Sequence, residues 1–218
     1  MTLVFDFDGT LHNTTYLYGG AFREGCKWLE EQGYHPTGDT SDENVSKYIG
    51  VSAPDTWADF MPELPEDIAE KVIAKVGEGL VSRIEAGKAK LYDGVPEMLD
   101  KLKKAGYQMF ILSNSDLPCM DAHIRNFELY KWFDDFFPGE AYGFIPKKEI
   151  FRILTEQYPD DEYIMVGDRD SDMEIGTIEK VKTIGCTYGF GTKEELSVAD
   201  MLAASPAEVA ELILGEKL

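Results

Sequence analysis

Cysteine is scarce in this chain of 218 residues. Cys26, Cys119 and Cys186 are far apart and odd in number, so they outline neither a disulfide framework nor a zinc-type pair. All three read as ordinary buried thiols. Long apolar runs are also missing. No stretch is long enough to span a bilayer, and Met1-Thr2-Leu3-Val4-Phe5 runs straight into charged residues rather than a cleavable signal. The expectation is a cytoplasmic protein with no membrane partner. Positive charge is in short supply as well: 21 Lys and Arg stand against 41 Asp and Glu, a formal net charge of -20. Such a surface repels nucleic acid and anionic lipid, so neither is an expected partner. Most of the acid reads as solvated surface. There is no internal repeat and no low-complexity tract, and a monomer or weak homodimer is the default assembly.

What is present is a change of rhythm along the chain. Thr2 to Phe7 is a short apolar run with β-branched and aromatic residues, bounded by Gly9, and reads as a strand buried on both faces. Helical patterns follow at Tyr16 to Gln32, Asp42 to Ile49, Pro54 to Phe60 and Pro65 to Ala86, separated by breakers such as Gly33 to Gly38 and Met61-Pro62. After Asp93-Gly94, helix and strand alternate. Val95, Met98, Leu99 and Leu102 fall at helical spacing, and Gly106 ends that helix. Strands are expected at Tyr107 to Leu112, Asp134 to Phe137, Tyr163 to Val166 and Lys182 to Cys186. Helices are expected at Asp116 to Phe127, Lys147 to Tyr158, Asp172 to Lys180 and Ser205 to Leu218. Such alternation implies an α/β fold: a Rossmann-like parallel sheet with helices on both faces. An all-helical block is inserted. Residues 1–13 and 91–218 are assigned to the core and residues 14–90 to the helical cap.

Ligands of parallel sheets gather at the carboxyl ends of the strands. Asp6 and Asp8 end the first strand, Ser113-Asn114-Ser115 the second, and Gly167-Asp168 the Tyr163 to Val166 strand. Asp6 and Asp8 share a face if the strand stays regular to its end. With Asp168, Asp172 and Asp170 they gather four or five carboxylates at one edge. Two full charges about 4 Å apart repel by roughly 4 kcal/mol at an effective dielectric of about 20. Such a cluster must take up protons or bind a cation. Oxygen ligands without thiolate or imidazole point to Mg2+. Gly9 and Gly167 allow close backbone approach.

Asp6-Phe7-Asp8-Gly9-Thr10-Leu11, Ser113-Asn114, and Gly167-Asp168-Arg169-Asp170-Ser171-Asp172 with Gly176 resemble the signature segments of the haloacid dehalogenase superfamily, in its phosphatase branch. The resemblance covers nearly the whole chain, and residues 14–90 sit where that branch inserts its helical cap. It implies a Mg2+-dependent hydrolase that releases phosphate from a small-molecule phosphate ester. Asp6 would attack phosphorus to give an aspartyl-phosphate. Asp8 would protonate the leaving alcohol and then activate water. Magnesium would be held by Asp6, the Asp8 carbonyl and Asp168, with Asp172 in support. Thr10, Ser113, Asn114 and a lysine would hold the phosphoryl oxygens.

The lysine is where the chain departs from the pattern. Relatives place a Lys-Pro pair before the helix that carries Ile150-Phe151, and here the pair is Ile145-Pro146. Lys147 and Lys148 are the substitutes, with Lys148 preferred because it lies one helical turn from position 145. Asp8 argues against a dehalogenase. A phosphosugar mutase, which usually has Val or Ile where Thr10 stands, and a non-catalytic phosphate- or metal-binding regulatory protein are the alternatives. His12 follows the first motif directly and reads as a flap residue, while His35 and His123 read as structural or exposed.

Overall fold

The computed structural model describes residues 1–215. Six strands form one parallel sheet: β1 (Thr2–Phe5), β2 (Gln108–Ser113), β3 (Asp135–Pro138), β4 (Tyr163–Gly167), β5 (Val181–Cys186) and β6 (Met201–Ala203), in the order β3-β2-β1-β4-β5-β6. β1 lies inside the sheet, paired to β2 on one side and β4 on the other. Because side chains alternate across a strand, its apolar run feeds two cores at once. Leu3 and Phe5 join Met109, Ile111, Ile164 and Val166 in one core, and Val4 joins Phe110, Leu112 and Met165 in the other.

Helices cover both faces. On the first face, α5 (Val95–Lys104) contributes Val95, Met98, Leu99 and Leu102, and α9 (Pro206–Gly215) contributes Val209, Ala210 and Ile213. On the second, α7 (Lys147–Gln157) packs Ile150, Phe151 and Leu154. α6 (Leu117–Phe127) follows β2, with Asp116 as its N-cap accepting from Cys119 N. α8 (Asp170–Met173) follows β4.

Between β1 and α5 the chain forms four helices, α1 (Thr15–Glu31), α2 (Asp42–Val45), α3 (Ala53–Phe60) and α4 (Glu66–Glu85). They have an apolar centre of their own: Phe22 stacks on Trp57 at 5.0 Å and meets Phe60 edge-on at 4.8 Å, with Val72 and Val76 alongside. Leu17, Ile84 and Ala89 pack with Ala122 of α6, so this segment also rests on the sheet layer.

Two expectations need correction. β1 stops at Phe5, two residues early, because Gly9 at φ +91° begins a reversal in which Gly9 N donates to His12 O and the amides of Leu11 and His12 donate to Phe7 O. The helix expected over Asp172 to Lys180 is one short turn at Asp170–Met173, then a 3-10 turn at Glu174–Thr177, before Ile178 turns extended. Asp172 Oδ2 accepts from the amides of Asp168 and Arg169, which caps the start of that short turn. The edge strand β6 carries no signal in its three residues, of which Leu202 is exposed. The last residues of the helix expected to Leu218 lie outside the described residues.

Candidate active site

Three strand ends and one helix start meet at the carboxyl edge of the sheet. β1 leads into Asp6 and Asp8, β2 ends at Ser113, β4 leads into Asp168 and Asp172, and α7 begins at Lys147. Lys147 is buried, and its Nζ donates to Asp6 Oδ1 at 2.7 Å and to Asp172 Oδ1 at 2.6 Å. Thr10 Oγ1 donates to Asp168 Oδ1 at 3.0 Å and Phe190 N to Asp168 Oδ2 at 2.8 Å. A Cβ on Gly9 would come within 2.3 Å of Asp168 Oδ2 and one on Gly189 within 2.4 Å, so the bare backbone at both positions lets the chain wrap this carboxylate.

Carboxylate oxygens of Asp6, Asp168 and Asp172 lie within 4.8 Å of one another. One ammonium against three carboxylates leaves the cluster negative. Burial raises the Asp6 carboxyl well above its ordinary range, with the charges of Asp172 and Asp168 adding and Lys147 opposing. Burial and the charge of Asp172 push Asp168 up to about 6. Burial works against the Lys147 ammonium, but Asp172 and Asp6 more than offset it and hold the group charged. Asp6 Oδ2 is buried and has no partner. An orphaned carboxylate oxygen inside a negative, all-oxygen donor set suits a hard divalent cation such as Mg2+.

Asp8 does not join this cluster. The reversal after β1 turns its side chain the other way, where Oδ1 accepts from Thr14 Oγ1 at 2.6 Å and lies 2.9 Å from His12 Nδ1. Burial alone would raise the Asp8 carboxyl, but the hydrogen bond and charge of His12, with the Thr14 hydroxyl, bring it down to about 2. An ionised carboxylate only accepts, so His12 Nδ1 is the donor. His12 stacks on Phe7 at 5.4 Å, and its ring centre is 4.5 Å from that of His123.

Several expectations change here. The preference for Lys148 falls to Lys147. Pro146 is the N-cap of α7, so position 145 is outside the helix and the one-turn equivalence between 145 and 148 does not apply. Lys148 instead lies 3.6 Å from Glu174. The Thr10 hydroxyl is turned to Asp168. Asn114 Nδ2 donates to Gly50 O at 2.9 Å, tying the end of β2 to the helical segment. Asp170 is exposed, outside the cluster. Ser113 is buried, accepts from Ser115 N at 3.3 Å and faces a cavity of about 90 Å3 that Asp8 and Asn114 also line. His12, Thr14 and Asp116 border the same cavity and were missed or set aside as site residues. The signal for His12 was the Gly9 turn, which folds position 12 back onto position 8.

Residues 3–186 match the family described as haloacid dehalogenase-like hydrolase. A phosphoglycolate phosphatase of Aquifex aeolicus is 24% identical over 97% of this chain and 95% of its own length. One of Vibrio parahaemolyticus is 26% identical over the same shares. A predicted phosphatase from Clostridium acetobutylicum shares the fold, with a TM-score of 0.83 and 22% identity over 98% of both chains.

Proposed function

From the premise that the chain belongs to the haloacid dehalogenase-like hydrolase family, we propose that it is a Mg2+-dependent phosphatase that releases phosphate from small phosphomonoesters through a phosphorylated Asp6. The observation that carries this reading is the Asp6 carboxylate. One of its oxygens is fixed by Lys147, while the other is buried without a partner beside Asp168 and Asp172. A nucleophile needs both a fixed orientation and a free lone pair.

Asp6, Asp168 and Asp172, with the main-chain carbonyl of Asp8, would hold the ion, which when bound supplies positive charge to the phosphoryl oxygens. Lys147 holds Asp6 in position and adds a second positive charge next to it. Asp6 attacks phosphorus, the ester P–O bond breaks, and the leaving alcohol takes a proton from Asp8. Asp8 then takes a proton from water as that water attacks phosphorus and the bond to Asp6 breaks. Asp8 rests ionised at neutral pH, so the proton it gives to the alcohol is first taken from water, while Thr14 Oγ1 and His12 Nδ1 hold its carboxylate in place. Ser113 and the amides that follow β2 contact the phosphoryl oxygens.

The chain carries all of these groups itself, so a monomer suffices for the chemistry, with a weak homodimer the other assembly. Among the described residues no helix is long and apolar enough to cross a membrane, and a cytoplasmic location accords with that. The test is phosphate release from a panel of small phosphate monoesters, with Mg2+ and with the metal chelated. Release should require the metal and vanish in Asp6→Asn. Equal release by Asp6→Asn would overturn the proposal.

A further inference from the structure

The cavity beside Asp8 limits what the alcohol part of the ester can be. Tyr18, Ile49, Val51, Trp57, Ile73 and Val76 make much of its wall, and among the described residues neither Lys nor Arg lines it. Its acidic side chains are Asp8 and Asp116. Of the two histidines there, burial pushes His123 down to about 3, leaving it neutral.

A helix N-terminus is the usual substitute for a cation when an anion must be held, because its first N–H groups lack partners within the helix and carry the positive end of the dipole. α6 begins at this cavity, but its first amides are already taken by the chain's own carboxylates. Leu117 N donates to Glu140 Oε2 at 2.7 Å, and Cys119 N to Asp116 Oδ1 at 2.7 Å. Pro118, between them, has no N–H.

Two nearby cations are also occupied. Lys147 lies between Asp6 and Asp172. Arg169 pairs with Glu195 at 3.0 Å and donates to the carbonyls of Lys47 and Ile49.

Resting on the phosphatase reading above, we infer that this chain selects phosphomonoesters whose leaving alcohol carries no negative charge, with Asp116 as the residue that disfavours an anionic one. The inference separates the chain from what the names of its relatives suggest, since the alcohol part of phosphoglycolate is itself a carboxylate. In this cavity that carboxylate would lie among apolar walls, facing Asp116 with no lysine or arginine in the described lining to pair it. Burying an unpaired charge and placing it near a like charge both act against binding.

The experiment compares kcat/KM of the Mg2+-loaded enzyme for propyl phosphate, ethanolamine phosphate and phosphoglycolate, in the native chain and in Asp116→Asn. Asparagine keeps an N-cap acceptor for α6 and removes the charge. In the native chain the neutral and cationic esters should exceed phosphoglycolate by about a hundredfold. Asp116→Asn should narrow that gap about tenfold, through a lower KM for phosphoglycolate, read as a ratio to propyl phosphate in the same variant. Phosphoglycolate ranking with or above the others, or a gap that Asp116→Asn leaves unchanged, would overturn the inference and leave the phosphatase reading standing. No Asp6-dependent release from any of the three esters would overturn both.

Discussion

At the scale of single residues, Lys147 is where sequence and structure part most usefully. Ile145 made the site look incomplete, yet a buried ammonium reaches Asp6 and Asp172 from two positions further on. Lys147→Ala should lower kcat by about a hundredfold, the scale of removing one placed donor, while Lys148→Ala should stay within about twofold because its Nζ faces Glu174. Steady-state kinetics on folded variants checks this, and a larger loss in Lys148→Ala would reverse the assignment. Asp6, Asp168 and Asp172 were legible because carboxylates that end different strands of a parallel sheet meet at its edge. The direction of Asp8 was not. It depends on where β1 stops being a regular strand, and a reversal set by four backbone hydrogen bonds around Phe7 and His12 leaves only Gly9 as a trace in the sequence. The support that the Thr10 hydroxyl gives the Asp168 carboxylate was hidden for a related reason.

At the scale of elements, β1 to β5 and the major helices were legible because apolar runs and helical periodicity are local signals. β6 and the short α8 were not, since both depend on contacts outside their own span. β6 has three residues held by pairing with β5, and α8 is a single turn whose Asp172 is held by Lys147 of α7. The start of β1 offers a test of how elements are pinned. Asp160, in the loop before β4, accepts from Met1 N at 3.1 Å and from Thr2 Oγ1 at 2.7 Å. Burial alone would raise its carboxyl, but these contacts bring it from 3.8 down to about 2. The folded state therefore holds this proton more weakly than the unfolded chain. The stabilisation is full above the unfolded value and is lost as pH falls from about 4 through 2. Asp160→Asn should melt below the native protein at pH 6, with the gap closing as pH falls through that window. Thermal melts that show a constant gap would contradict this.

At the scale of the whole molecule, a net charge of -20 surrounds a site proposed for anionic esters. The excess of acid is legible in the sequence, but not the place of the Lys147 ammonium within it, because Lys147 reaches its two aspartates only through the fold. A negative surface slows the approach of an anion over the Debye length, which shrinks from about 30 Å at 0.01 M salt to about 8 Å at 0.15 M. Raising potassium chloride across that range should increase kcat/KM for a phosphate ester a few-fold, and a decrease would mean that local positive charge dominates the approach. The central claim, that Asp6 takes the phosphoryl group before water does, has a more direct test in the stereochemical course at phosphorus with a chirally labelled phosphate ester. Two in-line displacements, first by Asp6 and then by water, predict net retention of configuration; inversion would mean a single attack by water and would contradict the account.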